Sequence, residues 1–364
     1  MTTPVTTPVT DAVTDAVTTR TTSPVEQVVR ARRRPAARVR WAIAALTALA
    51  LGAVLVRVLL GDYTLTLPDL VRVLSGDALP HAPGASFIVL EAKLPRALLG
   101  ALAGLAFGAA GTMFQTTLRN PLASPDIIGV SLGASAAAVI ALTVLDAQGL
   151  WLPAAAVAGA LCTSLLMYAV GRGTSFAGQR MVLVGIGVAA LLSSVIQLVM
   201  TRSSITDAQA ALVWLTGSLA RATWPVIAVL ALLLAAIAPL LAAAVGRMRL
   251  AELGDDLSTT LGAPAAGARL ALLLAVVLAA VATAATGPIT FVAFVAGPIA
   301  RRLCGGRPSL WASALTGATI VVLADAVGSY AIPDVNLPVG VVTGALGAPL
   351  MIAVLVAGGR AGKA

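Results

Sequence analysis

The chain has 364 residues, of which 59% are hydrophobic and 11% charged, and its mean hydropathy is +0.97. Soluble domains carry about 25% charged residues, so this composition excludes an ordinary soluble enzyme and describes an all-α membrane protein with many spans. A net charge of +9 would suit a nucleic-acid binder, but the placement of the cations argues for the inner headgroups of a bilayer and against nucleic acid.

Residues 1–38 are rich in Thr, Pro and Val and then in arginine (Arg20, Arg30, Arg32, Arg33, Arg34 and Arg38, with Arg40 just beyond). They lack a core-forming pattern and read as a disordered, basic cytoplasmic tail. The apolar stretch that follows contains Arg57 and has no small-residue cleavage site after it, so it reads as an uncleaved first span, not a signal peptide. Residues 39–358 form one transmembrane domain, and 359–364 a short cytoplasmic end.

A span needs about 20 apolar residues. Segments 41–60, 95–114, 127–146, 151–171, 181–201, 224–245, 269–287, 289–304, 309–328 and 337–357 meet that description. The eighth is short and bracketed by Pro288 and Pro298, which predicts a tilted, broken or re-entrant helix lined by protein. Leu212–Leu219 is amphipathic and too short to cross. Ten spans with both ends inside place 18 cations on inner segments and 5 on outer ones, with Arg57 inside a span. That asymmetry is what the positive-inside rule requires.

Glycines recur four residues apart: Gly100, Gly104 and Gly108, then Gly129 and Gly133, then Gly340 and Gly344. This spacing puts them on one helix face, where backbones approach closely. Pro349 should kink the last span. Cys162 and Cys304 read as apolar filler, and His81 as a solvated loop residue. Only two lysines occur, Lys93 and Lys363, and neither lies in a phosphate-cradling loop. No catalytic, cofactor-binding or metal-ligating set is apparent. Spans hold few charges (Arg57, Asp325 near an outer end, Asp126 at an inner end), without the mid-membrane acids usual in ion-coupled carriers. A transporter of this kind would draw its energy from another polypeptide.

The residues that carry a family resemblance begin with Leu94-Pro95-Arg96, Gly100, Gly111 and Gln115. They continue through Arg119-Asn120-Pro121-Leu122-Ala123, Pro125, Gly129 and Gly133-Ala134. Further along come Trp214, Gly217-Ser218-Leu219, Leu253-Gly254-Asp255-Asp256, Leu261-Gly262, Gly287-Pro288-Ile289, Ala324-Asp325, Leu337-Pro338-Val339-Gly340 and Gly347-Ala348-Pro349. Over roughly 40–357 this order resembles the FecCD family, the permease subunits of ATP-binding-cassette (ABC) importers for ferric siderophores, haem and cobalamin. The resemblance implies ten helices per subunit in the type II importer architecture. It also implies a cytoplasmic ABC ATPase dimer, a second permease subunit and an extracytoplasmic siderophore-binding protein, all at a bacterial inner membrane. Gly297-Pro298-Ile299 stands where many relatives read Pro-His-Ile. With Ser124-Pro125-Asp126, this looks more like the second permease of ferric-enterobactin-type systems, which pair with a sister chain; pairing with a second copy of itself stays open.

Residues 247–268 join spans six and seven on the inner side. Leu250, Leu253, Leu257 and Leu261 recur at three or four residues and make an apolar stripe. Asp255 or Asp256 can cap a helix and Gly262 can end one. By resemblance the segment, Gly254 included, forms the coupling helices that contact the ATPase; the plain alternative is a connecting loop. Lys93 and Arg96 sit at the outer mouth of span two as snorkelling cations, and the resemblance makes them docking charges for the binding protein, steering its approach. In relatives a further docking arginine follows the Ala-Asp pair, near the position of Ser329 here. Arg119, Asn120 and Pro121 form a rigid inner corner, with a gating role as the alternative. Gly178 and Gln179 fall, by resemblance, near the cytoplasmic gate. Two other classes compete: an ion-coupled secondary carrier, and a membrane scaffold or sensor that moves nothing.

Overall fold

The computed structural model describes residues 24–61, 64–77, 82, 84–126, 129–171, 177–251, 265–332 and 335–361, with side chains characterised within 36–170, 184–246 and 267–353. Ten of its helices coincide with the ten apolar segments. They are α1 (Pro24–Leu59), α3 (Leu94–Thr117), α4 (Val130–Thr143), α5 (Trp151–Gly171), α6 (Ala177–Arg202), α8 (Trp224–Ala251), α9 (Ala265–Thr286), α10 (Val292–Leu303), α11 (Leu310–Tyr330) and α12 (Val339–Ala361). Two short helices, α2 (Leu67–Leu74) and α7 (Ile205–Leu215), lie between them. Seven of the ten are long and apolar enough to cross a bilayer unaided. The 12-residue α10 rises only about 18 Å, so its ends are completed by non-helical chain.

α1 starts well before its apolar stretch, so residues 24–38 of the expected tail are helical in backbone. Arg, Ala, Gln and Glu there are all good helix formers, and the span behind them supplies the nucleus on which a helix extends cheaply. Residues 1–23 lie outside the described residues.

α3 is the hub. It packs against α11, α9, α10, α8 and α1, and most of its side chains are buried. A second group joins α4 to α5, α6 and α9. Lipid offers no hydrophobic drive between helices, so close backbone contact has to hold such a bundle. At the α3–α11 crossing a Cβ on Gly104 would lie 2.6 Å from the Cα of Ala318, and one on Gly108 would meet the Ser313 carbonyl. Gly133 meets Gly159 in the same way between α4 and α5. The four-residue glycine spacing therefore does what the sequence predicts at Gly104, Gly108 and Gly133. Gly129 differs: its φ of +84° turns the chain into α4.

α6 and α8 show mostly exposed apolar side chains, as do the outer faces of α1 and α5. These form the lipid- or partner-facing perimeter. The amphipathic segment expected at Leu212–Leu219 is instead a helix from Ile205 to Leu215. Ser204 caps it by accepting from Asp207 N–H, and the chain breaks at Gly217.

Candidate functional site

At the expected outer pole, Arg57 in α1, Arg96 in α3 and Asp325 in α11 converge. Asp325 and Arg57 are almost fully buried, at 1% and 3% exposure. Arg57 Nε donates to Asp325 Oδ2 at 2.6 Å, and Arg96 Nε donates to Oδ1 at 2.9 Å. Arg57 Nη1 donates to the Tyr330 hydroxyl at 2.7 Å, and its guanidinium lies 5.1 Å from that ring's centroid. Arg96 Nη2 reaches Asn336 Oδ1 at 3.4 Å. A buried guanidinium requires an anion and a full set of acceptors, and this carboxylate supplies both arginines at once. The cluster ties α11 to α1 and α3, whose arginines lie 268 and 229 positions away in sequence.

Lys93, one of the two expected docking cations, is buried in a π-helical turn (Ile88–Lys93) that leads into α3, and Nζ donates to the Leu60 carbonyl at 3.0 Å. Arg96 keeps a side-chain exposure of 16%. Each is thus engaged within the chain, and Arg96 alone of the two retains an outward face. Sequence reading marks Arg57 and Asp325 separately and does not pair them. The usable signal is an arginine inside an apolar span, which demands a counter-ion, and Asp325 is the outer-end acid available to it.

The expected inner corner follows α3. Arg119 takes a left-handed conformation (φ +49°). Asn120 Oδ1 accepts from Leu122 N–H at 2.9 Å, and the Asn120 carbonyl accepts from Ala123 N–H at 3.1 Å. These bonds satisfy backbone that Pro121 and Pro125 remove from any helix. Pro121 is exposed and Pro125 buried. Ser131 Oγ donates to Asp126 Oδ1, while Asp126 Oδ2 is enclosed without a partner among the described residues. Burial pushes the Asp126 carboxyl above the usual carboxylate range, and the Ser131 bond opposes part of that rise.

Gly178 and Gln179 lie in the first turn of α6, their side chains outside the described residues. Leu250 is in the last turn of α8, again by backbone only. Leu253, Gly254, Asp255, Asp256, Leu257, Leu261 and Gly262 fall outside the described residues.

The wall of the bundle carries three chain breaks that satisfy one another. Ser218 N–H donates to the Thr286 carbonyl at 2.8 Å, and Gly340 N–H to the Gly217 carbonyl at 3.2 Å. Gly217 and Gly287 have positive φ and sit backbone to backbone, so a Cβ on either would strike the other strand's main chain. Non-helical backbone is tolerated at membrane depth only when buried in protein like this. Phe291, left-handed at φ +65°, then launches α10. An almost wholly apolar cavity of about 250 Å³ opens between α10, α11 and α12, lined by Phe291, Val295, Leu323, Leu346 and their neighbours.

Ten apolar helices, seven of them long enough to cross a bilayer, packed around α3 and closed by three interlocked chain breaks, define an all-helical polytopic membrane fold. Residues 47–357 match the FecCD transport family, to which this chain belongs. It is 37% identical over 302 residues to the ferric enterobactin transport system permease protein FepG of Escherichia coli K12, covering 81% of this chain and 89% of that one. It is 39% identical over 280 residues to the achromobactin transport system permease protein CbrC of Dickeya dadantii, covering 75% and 80%. The fold superposes with a TM-score of 0.75 on a solved protein described as a metal-chelate type ABC transporter in an inward-facing conformation, at 22% identity, covering 86% of this chain and 98% of that one. The protein is a membrane permease subunit of an ABC importer and not itself an enzyme. Membership implies an ATPase, a substrate-binding protein and a second permease as its partners. The ion-coupled carrier and the passive scaffold are set aside by that membership.

Proposed function

We propose that this chain is one permease half of an importer that carries ferric-siderophore complexes into a bacterial cytoplasm. The observation that supports this most is the agreement among relatives. At 37–39% identity over about three quarters or more of the chain, they carry ferric enterobactin, achromobactin and ferric citrate in their names. Iron arrives already chelated, so the conduit needs shape and apolar surface, without fixed metal ligands of its own.

In this reading both termini are cytoplasmic, as the cation asymmetry favours, and the partner permease is a different sister chain. The binding protein docks at the outer pole, where Arg96 offers an acidic lobe its exposed face and exchanges part of its bond to Asp325. Lys93 shapes the rim beside it. At the inner pole the coupling segment 247–268, with Leu250, Leu253, Leu257 and Leu261 as its apolar stripe and Asp255, Asp256, Gly254 and Gly262 at its bends, seats in a groove of the ATPase. ATP-driven closure of that partner is transmitted through α8 and α9 to the hub α3. The corner Arg119–Pro121 and the start of α6 at Gly178 and Gln179 narrow the inner exit. Cargo then passes by alternating access.

The experiment is reconstitution of the full complex in vesicles with cargo outside. Leu257→Asp, a charge on the apolar stripe, should cut ATP-driven uptake at least about tenfold, because a charged side chain does not enter an apolar groove. The permease should remain folded in the membrane. Undiminished uptake in that variant removes the coupling assignment. Uptake against a gradient by the permease alone removes the whole reading.

A further inference from the structure

Two segments far apart in sequence meet at the pole opposite the Asp325 cluster. The start of the α1 span brings Arg38, Arg40 and Trp41. The connection from α10 to α11 brings Arg301, Arg302, Arg307 and Trp311. Apolar packing holds them together: Leu46 clusters with Ala300, Cys304 and Ala312, and Val39, Ala42, Ile43 and Leu315 pack around that group. Arg38 Nε donates to the Leu303 carbonyl at 3.3 Å, and its stem lies over Gly305, close enough that a Cβ there would be 3.1 Å from Arg38 Cδ.

Five arginines are thus gathered at one spot. Neither segment 36–46 nor segment 300–315 contains an acidic residue. The ion pairs found among the described residues involve Asp325 and none of these five. Arg38, Arg40, Arg302 and Arg307 are exposed and Arg301 half-buried. Like charges held this close repel, and among the described residues no carboxylate pairs with them, so the patch calls for an anion beyond those residues. The start of α11 adds its dipole: Ser309 accepts from Ala312 N–H, and the positive helix end sits beside Arg307.

The surroundings identify that anion. Trp41 and Trp311 flank the patch at 76% and 60% exposure. Indole rings gather at the boundary between headgroups and acyl chains. Beyond Trp41 the same helix presents Leu49, Leu51 and Leu55, exposed and apolar, as a seat for acyl chains. We propose that this patch is a binding site for the phosphate headgroup of an anionic phospholipid, held between α1 and the α10–α11 connection. Basic pockets between spans at a membrane face suit such headgroups. Bound there, the lipid neutralises the patch and pins α1 against α10 and α11, the helices that carry the Asp325 cluster and the apolar cavity. This goes beyond the cargo and coupling readings and depends on neither.

The test is lipid retention on the full-length chain purified in detergent, read by native mass spectrometry with phosphatidylglycerol and phosphatidylcholine offered together. Phosphatidylglycerol should be retained at least about tenfold over phosphatidylcholine, and each arginine replaced among Arg301→Gln, Arg302→Gln and Arg307→Gln should weaken retention about fivefold. Raising salt should weaken it further, and Arg202→Gln, at the opposite pole, should leave it unchanged. Equal retention of the two lipids, or indifference to the three substitutions, overturns the site. Competition by millimolar inorganic phosphate would reveal a free-anion site and equally overturns the lipid assignment. Should the triple variant not fold, the wild-type comparison and the single exposed change Arg307→Gln still decide.

Discussion

Asp325 accepts from two guanidinium groups while nearly sealed from solvent. Breaking a buried ion pair by removing one partner leaves an uncompensated charge and costs about 3–5 kcal/mol, whereas replacing the pair with apolar groups is often neutral. Asp325→Asn should therefore lower the thermal unfolding temperature of the purified chain sharply, and the triple change Arg57→Met, Arg96→Met and Asp325→Leu, which removes every charge of the cluster, should recover most of it. A single variant as stable as the parent would show that the cluster is solvated. Asp126 gives the opposite sign. Its carboxyl is raised in the folded chain by burial, so the folded state binds the proton more tightly than the unfolded one. Its contribution is most favourable at pH below the ordinary carboxylate range and is lost as pH rises through the raised value. Asp126→Asn should flatten the loss of stability that sets in as pH rises above the ordinary carboxylate range, about pH 4, and raise stability at neutrality. A pH profile that keeps the parent's slope would remove Asp126 as its source. The Asn120 turn is legible in the sequence because Asx geometry is local. The bond between Arg57 and Asp325 is not, because it spans 268 positions.

Each helix exists because a run of apolar residues satisfies its own backbone, but the helices meet where glycine permits. At the α3–α11 crossing, Gly104 and Gly317 place backbone against backbone. Gly104→Ala forces the helices apart and should cost about 1–3 kcal/mol. Gly52, half-buried in α1, leaves open space where a methyl group would stand, with nothing within 4 Å. Gly52→Ala should instead stabilise by about 0.5–1 kcal/mol through helix propensity. Equal effects at both positions, measured by unfolding in detergent, would show that the crossing does not depend on close contact. The late start of the short α10 follows from Pro288 in the sequence, whereas Pro298, expected near its end, lies inside the helix, which runs on to Leu303. Its completion by Gly217, Gly287 and Gly340 bonding across three breaks does not, since those glycines look alike in sequence and differ only in what stands opposite them.

For the whole molecule, the central question is which pole faces the cytoplasm. The cation asymmetry places Asn120 inside and Asp77 outside; both are exposed. Cysteine introduced at Asp77 should react with a membrane-impermeant maleimide added to intact cells, and cysteine at Asn120 only after lysis. The reverse pattern would invert the topology and, with it, the docking and coupling poles. The arrangement is also unequal around its rim. α3, α9 and α11 are largely buried, while α6 and α8 present apolar faces that a bilayer or a second permease has to cover.

The positions of the ten apolar helices, the shortness of the eighth, the glycine faces and the family were determined by sequence alone. Each is a local or periodic property, written in runs of about twenty residues or in four-residue spacings. The pairing of Arg57 and Arg96 on one carboxylate, the mutual closure of the three chain breaks, and the gathering of five arginines beside two tryptophans were decided by tertiary structure. A polar group in a membrane must find its partner wherever packing places it, and packing between distant helices leaves no periodic trace along the chain.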